Sequence, residues 1–205
     1  MNLEAMNAEF ANQEPQAIIA HALSLPGKAV LTTHFGPLEA VILHLATTLK
    51  PDLQIVWVDH GYNTKATYRC AERIIERLKL NVDVFTPRIS AARQEAALGG
   101  IPSYTEDSHA QFTENFKLEP FRRAMATHQP AIWLTALRRE QTEFRHSLNL
   151  FTQDDKGVLK VAPLFFWTEA QMRDYLAAHD LPNEDSYYDP TKALENRECG
   201  LHTSL

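Results

Sequence analysis

The sequence predicts an α/β fold with a doubly wound, mostly parallel sheet, and three observations lead there. Short apolar runs of strand length recur at Lys28–Thr33 (KAVLTT), Leu53–Val58 (LQIVWV), Val82–Thr86 and Ala131–Ala136 (AIWLTA). Stretches with helical spacing of apolar residues separate them. The chain has 205 residues, enough for one sizeable domain and little more. Strands alternating with helices imply a parallel sheet covered on both faces.

In chain order, residues 8–25 read as a helix ended by Pro26-Gly27, and the first strand runs from Lys28 to Thr33. Pro37 suits the first position of a helix reaching about Leu49. After the second strand, Tyr68, Ala71, Ile74, Ile75 and Leu78 share one face of a helix over 64–80. The third strand leads into residues 87–116, rich in Ala, Gly, Ser and Thr, which read as a helix and a loop. A helix over 119–128 precedes the fourth strand. Residues 151–161, with Asp154-Asp155-Lys156-Gly157 at the centre, read as a β-hairpin, and Thr168 caps a last helix to His179. The domain is expected to span 1–182, with 183–205 as a mobile C-terminal tail.

Composition narrows the function classes. Apolar residues make up 44% and charged residues 22%, as in ordinary globular chains. No run reaches membrane-span length, and Met1-Asn2-Leu3-Glu4 lacks the pattern of a secretory signal, so a cytoplasmic protein is expected. The net charge of −6 disfavours non-specific nucleic-acid binding, which needs a basic face. Two cysteines, Cys70 and Cys199, are too few for a disulfide scaffold, a four-cysteine zinc site or a four-iron cluster within one chain.

Ligands of open α/β sheets bind at the carboxyl ends of the strands, and three clusters meet there. Thr32-Thr33-His34-Phe35-Gly36 joins hydroxyls and a glycine to a helix start, an arrangement suited to anions. An ordinary βα turn gives the same pattern. Asp59-His60-Gly61-Tyr62 offers groups for ribose or adenine, or is simply a polar turn. Arg138, Arg139 and Arg145 place three guanidinium forks, suited to phosphate or sulfate, past a buried strand end; Glu140 and Glu143 make a salt-bridged surface helix the competing account. Cys199 stands apart, among charged residues and beside a glycine, where Arg197 and His202 favour a thiolate and Glu198 opposes it. Cys70 reads as an ordinary packed cysteine.

With these residues in view, the chain resembles the assimilatory phosphoadenylyl-sulfate (PAPS) reductase family. Glu198-Cys199-Gly200-Leu201-His202 matches its E-C-G-[IL]-H tail. His34-Phe35-Gly36 stands at its S-F-G loop, Asp59-His60-Gly61-Tyr62 resembles D-T-G-Y, and Lys117-Leu118-Glu119-Pro120 resembles K-x-E-P. Residues 134–141 resemble T-G-x-R-R-x-Q, and Lys160-Val161-Ala162-Pro163 to Trp167 resembles K-V-x-P…W. The motifs run in the family's order from about Lys28 to His202.

The resemblance implies an adenine-nucleotide α-hydrolase-like fold. It also implies attack by Cys199 on 3'-phosphoadenosine 5'-phosphosulfate, an S-sulfonate intermediate, and sulfite release by thioredoxin or glutaredoxin as electron donor in sulfate assimilation. His202 joins Cys199 as a catalytic residue. Thr32, Thr33, His34, Phe35, Gly36, Asp59, Gly61, Tyr62, Lys117, Arg138, Arg139, Arg145 and Lys160 are the expected substrate-binding residues. No metal or iron–sulfur cluster is expected; cluster-containing relatives use adenosine 5'-phosphosulfate and carry extra cysteine pairs. A homodimer is allowed by the resemblance alone. The chain departs from the pattern at Thr32-Thr33-His34 (a serine run), His60 (threonine), Ala136 (glycine) and in a shortened stretch between Leu181 and Glu198. The alternatives are a cluster-free adenosine 5'-phosphosulfate reductase, an ATP-pyrophosphatase-like enzyme, whose S-G-G-x-D-S loop is absent, and a nucleotide-binding regulator, which has no use for the Cys199 motif.

Overall fold

A computed structural model of the chain describes residues 2–192. Six strands form one sheet: β1 (Ala29–Thr33), β2 (Gln54–Val58), β3 (Asn81–Phe85), β4 (Ile132–Leu134), β5 (Phe151–Gln153) and β6 (Leu159–Val161), in the order β3-β2-β1-β4-β6-β5. All neighbouring pairs are parallel except β5–β6, the expected hairpin. The chain winds outward from β1 to β3, then returns to place β4 on the other side of β1. A crevice opens between β1 and β4 at that switch point.

The pleat assigns the core. Ala29 and Leu31 of β1 face one side with Ile55, Trp57, Ile132 and Leu134, whereas Val30 faces the other with Val56 and Trp133. The first side is covered by α2 (Pro15–Ser24), α3 (Ala40–Leu49), α4 (Lys65–Leu78) and α9 (Glu169–Ala178); the second is covered by α7 (Glu119–His128), through Phe121 and Ala124. Burial on both faces explains why β1, β2 and β4 read as continuous apolar runs, whereas edge strand β3 is largely exposed.

Local chemistry sets the element ends. The single helix expected over 8–25 is two, α1 (Leu3–Phe10) and α2, because Pro15 lacks an N–H and disfavours helical backbone at the residue before it. The Thr64 hydroxyl accepts from the Thr67 N–H to start α4, and Lys79 at φ +51° ends it. The Thr142 hydroxyl accepts from the Arg145 N–H to start the short α8 (Glu143–His146), and Thr168 and Gln171 form a capping box on α9. The stretch 87–116 holds α5 (Ala91–Ala97) and α6 (Ser108–Thr113). The latter passes through a π-helical turn, Glu114–Leu118, into α7, whose first turn contains Pro120.

Residues 183–192, the first ten of the expected tail, lie across the carboxyl edge of the sheet. Asn183 Oδ1 accepts from the Leu38 N–H at 2.7 Å, and the Ser186 carbonyl accepts from the Thr67 hydroxyl at 3.2 Å. Cys199 and His202 lie outside the described residues.

Candidate active site at the carboxyl edge of the sheet

The crevice is a cleft of about 680 Å³ whose wall includes Thr32, Thr33, His34, Lys117, Arg138 and Arg145 among the expected residues. Its first side is the loop after β1. Helix α3 starts at Ala40 rather than at Pro37, because Leu38 takes a left-handed conformation (φ +69°) that no helix continues. Phe35 is left-handed as well (φ +52°). Two non-glycine residues in this region within four positions mark a loop held against its preference, a feature that clusters at functional sites. The burial of both side chains helps hold it: Phe35 packs edge-on against Trp57, 4.8 Å between centroids, and so belongs to the core rather than to the cleft wall.

Glu39 is the polar anchor of this loop. One carboxylate oxygen accepts from the Thr33 hydroxyl (2.7 Å) and the His34 N–H (2.9 Å); the other meets His34 Nδ1 at 2.7 Å. Burial alone would raise the Glu39 carboxyl, but the His34 ring and these hydrogen bonds outweigh it and hold it below its ordinary value. The His34 ring lies over Gly36, where a Cβ would stand 2.4 Å from Nε2. A side chain at position 36 would push the His34 ring out of this place. Thr32 turns its hydroxyl to accept from Trp133 Nε1 at 2.8 Å, which links β1 to β4 beneath the cleft.

After β2 the neighbouring residues divide. Asp59 Oδ1 accepts from the Gly61 N–H (2.9 Å), Asn63 Nδ2 (3.0 Å) and the Tyr68 hydroxyl (2.8 Å), so Asp59 organises the turn. Gly61 supplies the turn's positive φ (+77°), and Tyr62 packs on Phe112 and Phe116. These three stand beside the cleft. His60 forms its wall instead: Nδ1 accepts from the Tyr62 N–H at 3.0 Å, while buried Nε2 has no hydrogen-bond partner among the described residues. Burial pushes His60 down to about 4, so its ring is neutral at pH 7.

The opposite side comes from β4 and the π turn. Arg138 and Arg145 are both buried in the wall, with Gln141 between them: its side-chain oxygen accepts from the Arg138 N–H (3.0 Å) and from the Arg145 guanidinium. Arg138 also pairs with Glu140. Lys117, carried inward by the π turn, forms a buried ion pair with Asp189 of the crossing segment. Burial by itself would raise the Asp189 carboxyl, but the Lys117 charge and donors from Lys117 and Thr191 hold it well below the usual carboxylate range.

Two further expected residues also lie outside the cleft wall. Arg139 points outward, with its guanidinium 5.5 Å from the Phe166 ring centroid and a nitrogen 2.8 Å from His146. Lys160 lines a separate cavity of about 160 Å³, its ammonium 4.8 Å from the Trp133 ring centroid, and burial lowers its pKa. Glu39 and Asp189 also stand in the cleft wall, although nothing in the sequence set them apart as site residues; His60 and Gln141, which lie inside the expected clusters without being assigned to substrate, stand there too.

Among the described residues no helix is long and apolar enough to cross a membrane, and no cluster of three or more His, Cys, Asp or Glu is placed to hold a metal ion.

Comparison with known proteins agrees with this geometry. Residues 28–189 match the family model described as the phosphoadenosine phosphosulfate reductase domain. The chain is 37% identical over 183 residues to a phosphoadenosine 5'-phosphosulfate reductase of Synechococcus sp., covering 88% of this chain and 78% of the relative. It is 33% identical over 227 residues to the protein of that name from Xylella fastidiosa, covering 100% and 95%. The fold resembles the crystal structure of Candida auris PAPS reductase in its phosphate complex, with a TM-score of 0.75, 22% identity, and coverage of 88% and 86%. A weaker likeness, TM-score 0.53 at 15% identity over 79% and 53% of the two chains, links it to Candida glabrata FMN adenylyltransferase with ATP. A switch-point cleft walled by basic side chains and a family match spanning it lead to one statement: the chain belongs to the phosphoadenosine phosphosulfate reductase domain family.

Proposed function

We propose that the protein reduces 3'-phosphoadenosine 5'-phosphosulfate to sulfite and adenosine 3',5'-bisphosphate in sulfate assimilation, by way of an S-sulfonate on Cys199. One observation carries the reading: His34, Lys117, Arg138 and Arg145 converge on a single cleft at the strand ends of a chain from this family. Such groups suit a ligand with several phosphate and sulfate oxygens, and guanidinium forks hold them in a fixed orientation.

In the proposed reaction the Cys199 thiolate attacks sulfur, and the S–O bond to the 5'-phosphate breaks with its electron pair going to oxygen. The phosphate gains one negative charge in that step, and Arg138 and Arg145 are assigned to stabilise it. A dithiol of the thioredoxin or glutaredoxin class then attacks Cys199 Sγ. This expels sulfite and leaves a mixed disulfide, which the second thiol resolves. His202, three residues beyond Cys199, is assigned to favour the thiolate. The protein is assigned to the cytoplasm. With two cysteines in the sequence it uses no four-cysteine cluster of its own, which favours the 3'-phosphorylated nucleotide.

Anaerobic incubation with each activated sulfate plus reduced thioredoxin, assaying sulfite, tests the reading. Sulfite from the 3'-phosphorylated nucleotide is expected. Sulfite from adenosine 5'-phosphosulfate alone would reverse the substrate assignment, and absence of sulfite from both would reject the reductase.

A further inference from the structure

His34 and Glu39 form a unit more elaborate than an anion-binding turn requires. A carboxylate only 7% exposed stands behind an imidazole that is 42% exposed, and the two meet at 2.7 Å through Nδ1. Thr33 and the His34 N–H occupy the other carboxylate oxygen, so Glu39 is fixed before the ring is placed. A hydrogen bond from Nδ1 to a carboxylate settles which nitrogen carries the proton and stabilises the imidazolium. The second nitrogen, Nε2, stands over Gly36, and His34 forms part of the cleft wall. Tyr187 holds the ring from one side, 4.9 Å between centroids.

We propose that His34 is a catalytic residue of the transfer step, giving a proton from Nε2 to the phosphate oxygen that leaves sulfur, with Glu39 as its positioning residue. The inference rests on the reductase reading above. As Cys199 Sγ bonds to sulfur, the S–O electron pair passes to the bridging oxygen, which takes the Nε2 proton. The products are a protein S-sulfonate, a singly protonated 5'-phosphate and a neutral imidazole, which regains its proton from water. A neutral hydroxyl at this position could donate a hydrogen bond but could not yield a proton to the leaving group. Substitution here therefore changes the pH dependence of the step.

The groups that share the cleft with the ring come from several elements, among them Glu169 and Arg173 of α9 and Asp185 and Lys192 of the crossing segment. Glu39, ahead of α3, favours its charge. Arg138 and Arg145 after β4 and the neutral His60 after β2 share its cleft, the arginines opposing its charge; Lys117 on the π turn is paired with Asp189, and Tyr187 covers one face.

The test compares wild type with His34→Asn, whose amide still reaches Glu39 but does not titrate. Nucleotide release in a single turnover without reductant is followed across pH, and the ratio of wild-type to variant rates cancels the ionisation of Cys199 and of the substrate. The expected ratio is about a hundredfold on the acid side, falling toward unity as the ring loses its proton. Glu39→Gln, checked for folding by circular dichroism, should lower the acid-side rate, and adding His34→Asn to it should lower the rate little further, a non-additivity that a purely structural role of Glu39 would not produce. Calorimetric binding of adenosine 3',5'-bisphosphate gives a second readout that needs no turnover. Wild type should bind more tightly than His34→Asn at low pH and equally at high pH. A pH-independent ratio in either measurement overturns the proposal. Wild type that binds the bisphosphate with the expected pH dependence but releases no nucleotide would reject the reductase reading and leave His34 as a titrating phosphate ligand.

Discussion

Lys117 and Asp189 form a buried ion pair, only 11% and 3% exposed, that joins the π turn to the segment crossing the strand ends. The two residues are 72 positions apart, and the contact closes one end of the cleft. Removing one partner leaves a buried charge without its counterion. Asp189→Ala should therefore cost about 3–5 kcal/mol in urea unfolding, and Lys117→Met with Asp189→Leu together should cost less. In Asp189→Ala, limited proteolysis should begin within residues 183–192. Equal losses in the single and double variants would mean that the pair does not act as a unit.

His60 ties stability to pH. Its folded value, pushed down to about 4 chiefly by burial, lies below its ordinary 6.5, so the unfolded chain takes up the proton first. The contribution is absent as a penalty above pH 6.5 and grows as pH falls toward 4, reaching roughly 3 kcal/mol. Denaturant midpoints should fall through this window in wild type and stay flatter in His60→Asn. Asp189, held low by Lys117, remains ionised there and acts only below it. An identical profile for His60→Asn would place the titrating group elsewhere.

The arginines separate into two groups. Arg138→Ala or Arg145→Ala should weaken binding of adenosine 3',5'-bisphosphate by about ten- to a hundredfold, since each removes a charge-assisted contact worth roughly 1.5–3 kcal/mol. Arg139, stacked on Phe166 outside the cleft, should change affinity little when replaced by alanine. Isothermal titration of the three variants decides it, and a large loss for Arg139→Ala would show that it swings inward on binding.

That division shows how far the sequence reached. Arg138, Arg139 and Arg145 share a stretch of eight residues, and composition there announced an anion site without saying which side chains face it. The 3₁₀ turn at Arg139–Gln141 makes that choice, turning Arg138 inward and Arg139 out. The parallel sheet, the hairpin and the cap at Thr168 were readable because hydrophobic period and local hydrogen bonding determine them. Glu39 and Asp189 were not, because a buried carboxylate looks like any surface acid until its donors are known. Leu38, in left-handed backbone, delayed the helix that Pro37 seemed to begin.

Gly36→Ala should act through its neighbour. A Cβ there would stand 2.4 Å from His34 Nε2 and 2.7 Å from Cδ2, so the ring must leave its place against Glu39. Single-turnover nucleotide release should drop at least tenfold and lose the His34-dependent part of its pH profile. Thermal stability should fall as well, because the buried Glu39 carboxylate loses the ring that meets one of its oxygens. Unchanged kinetics would show that the ring needs no fixed position.

Cys199 carries the covalent step. Incubation with 3'-phosphoadenosine 5'-phosphosulfate in the absence of reductant should release one equivalent of nucleotide and stop. Intact-protein mass spectrometry should then find one added SO3 group, on the Cys199 peptide, removed by reduced thioredoxin and absent from Cys199→Ser. Cys70→Ser, which alters a buried packing residue on α4, should still form the adduct. Continuous sulfite release with no protein-bound sulfonate, or an adduct on Cys70, would contradict the account.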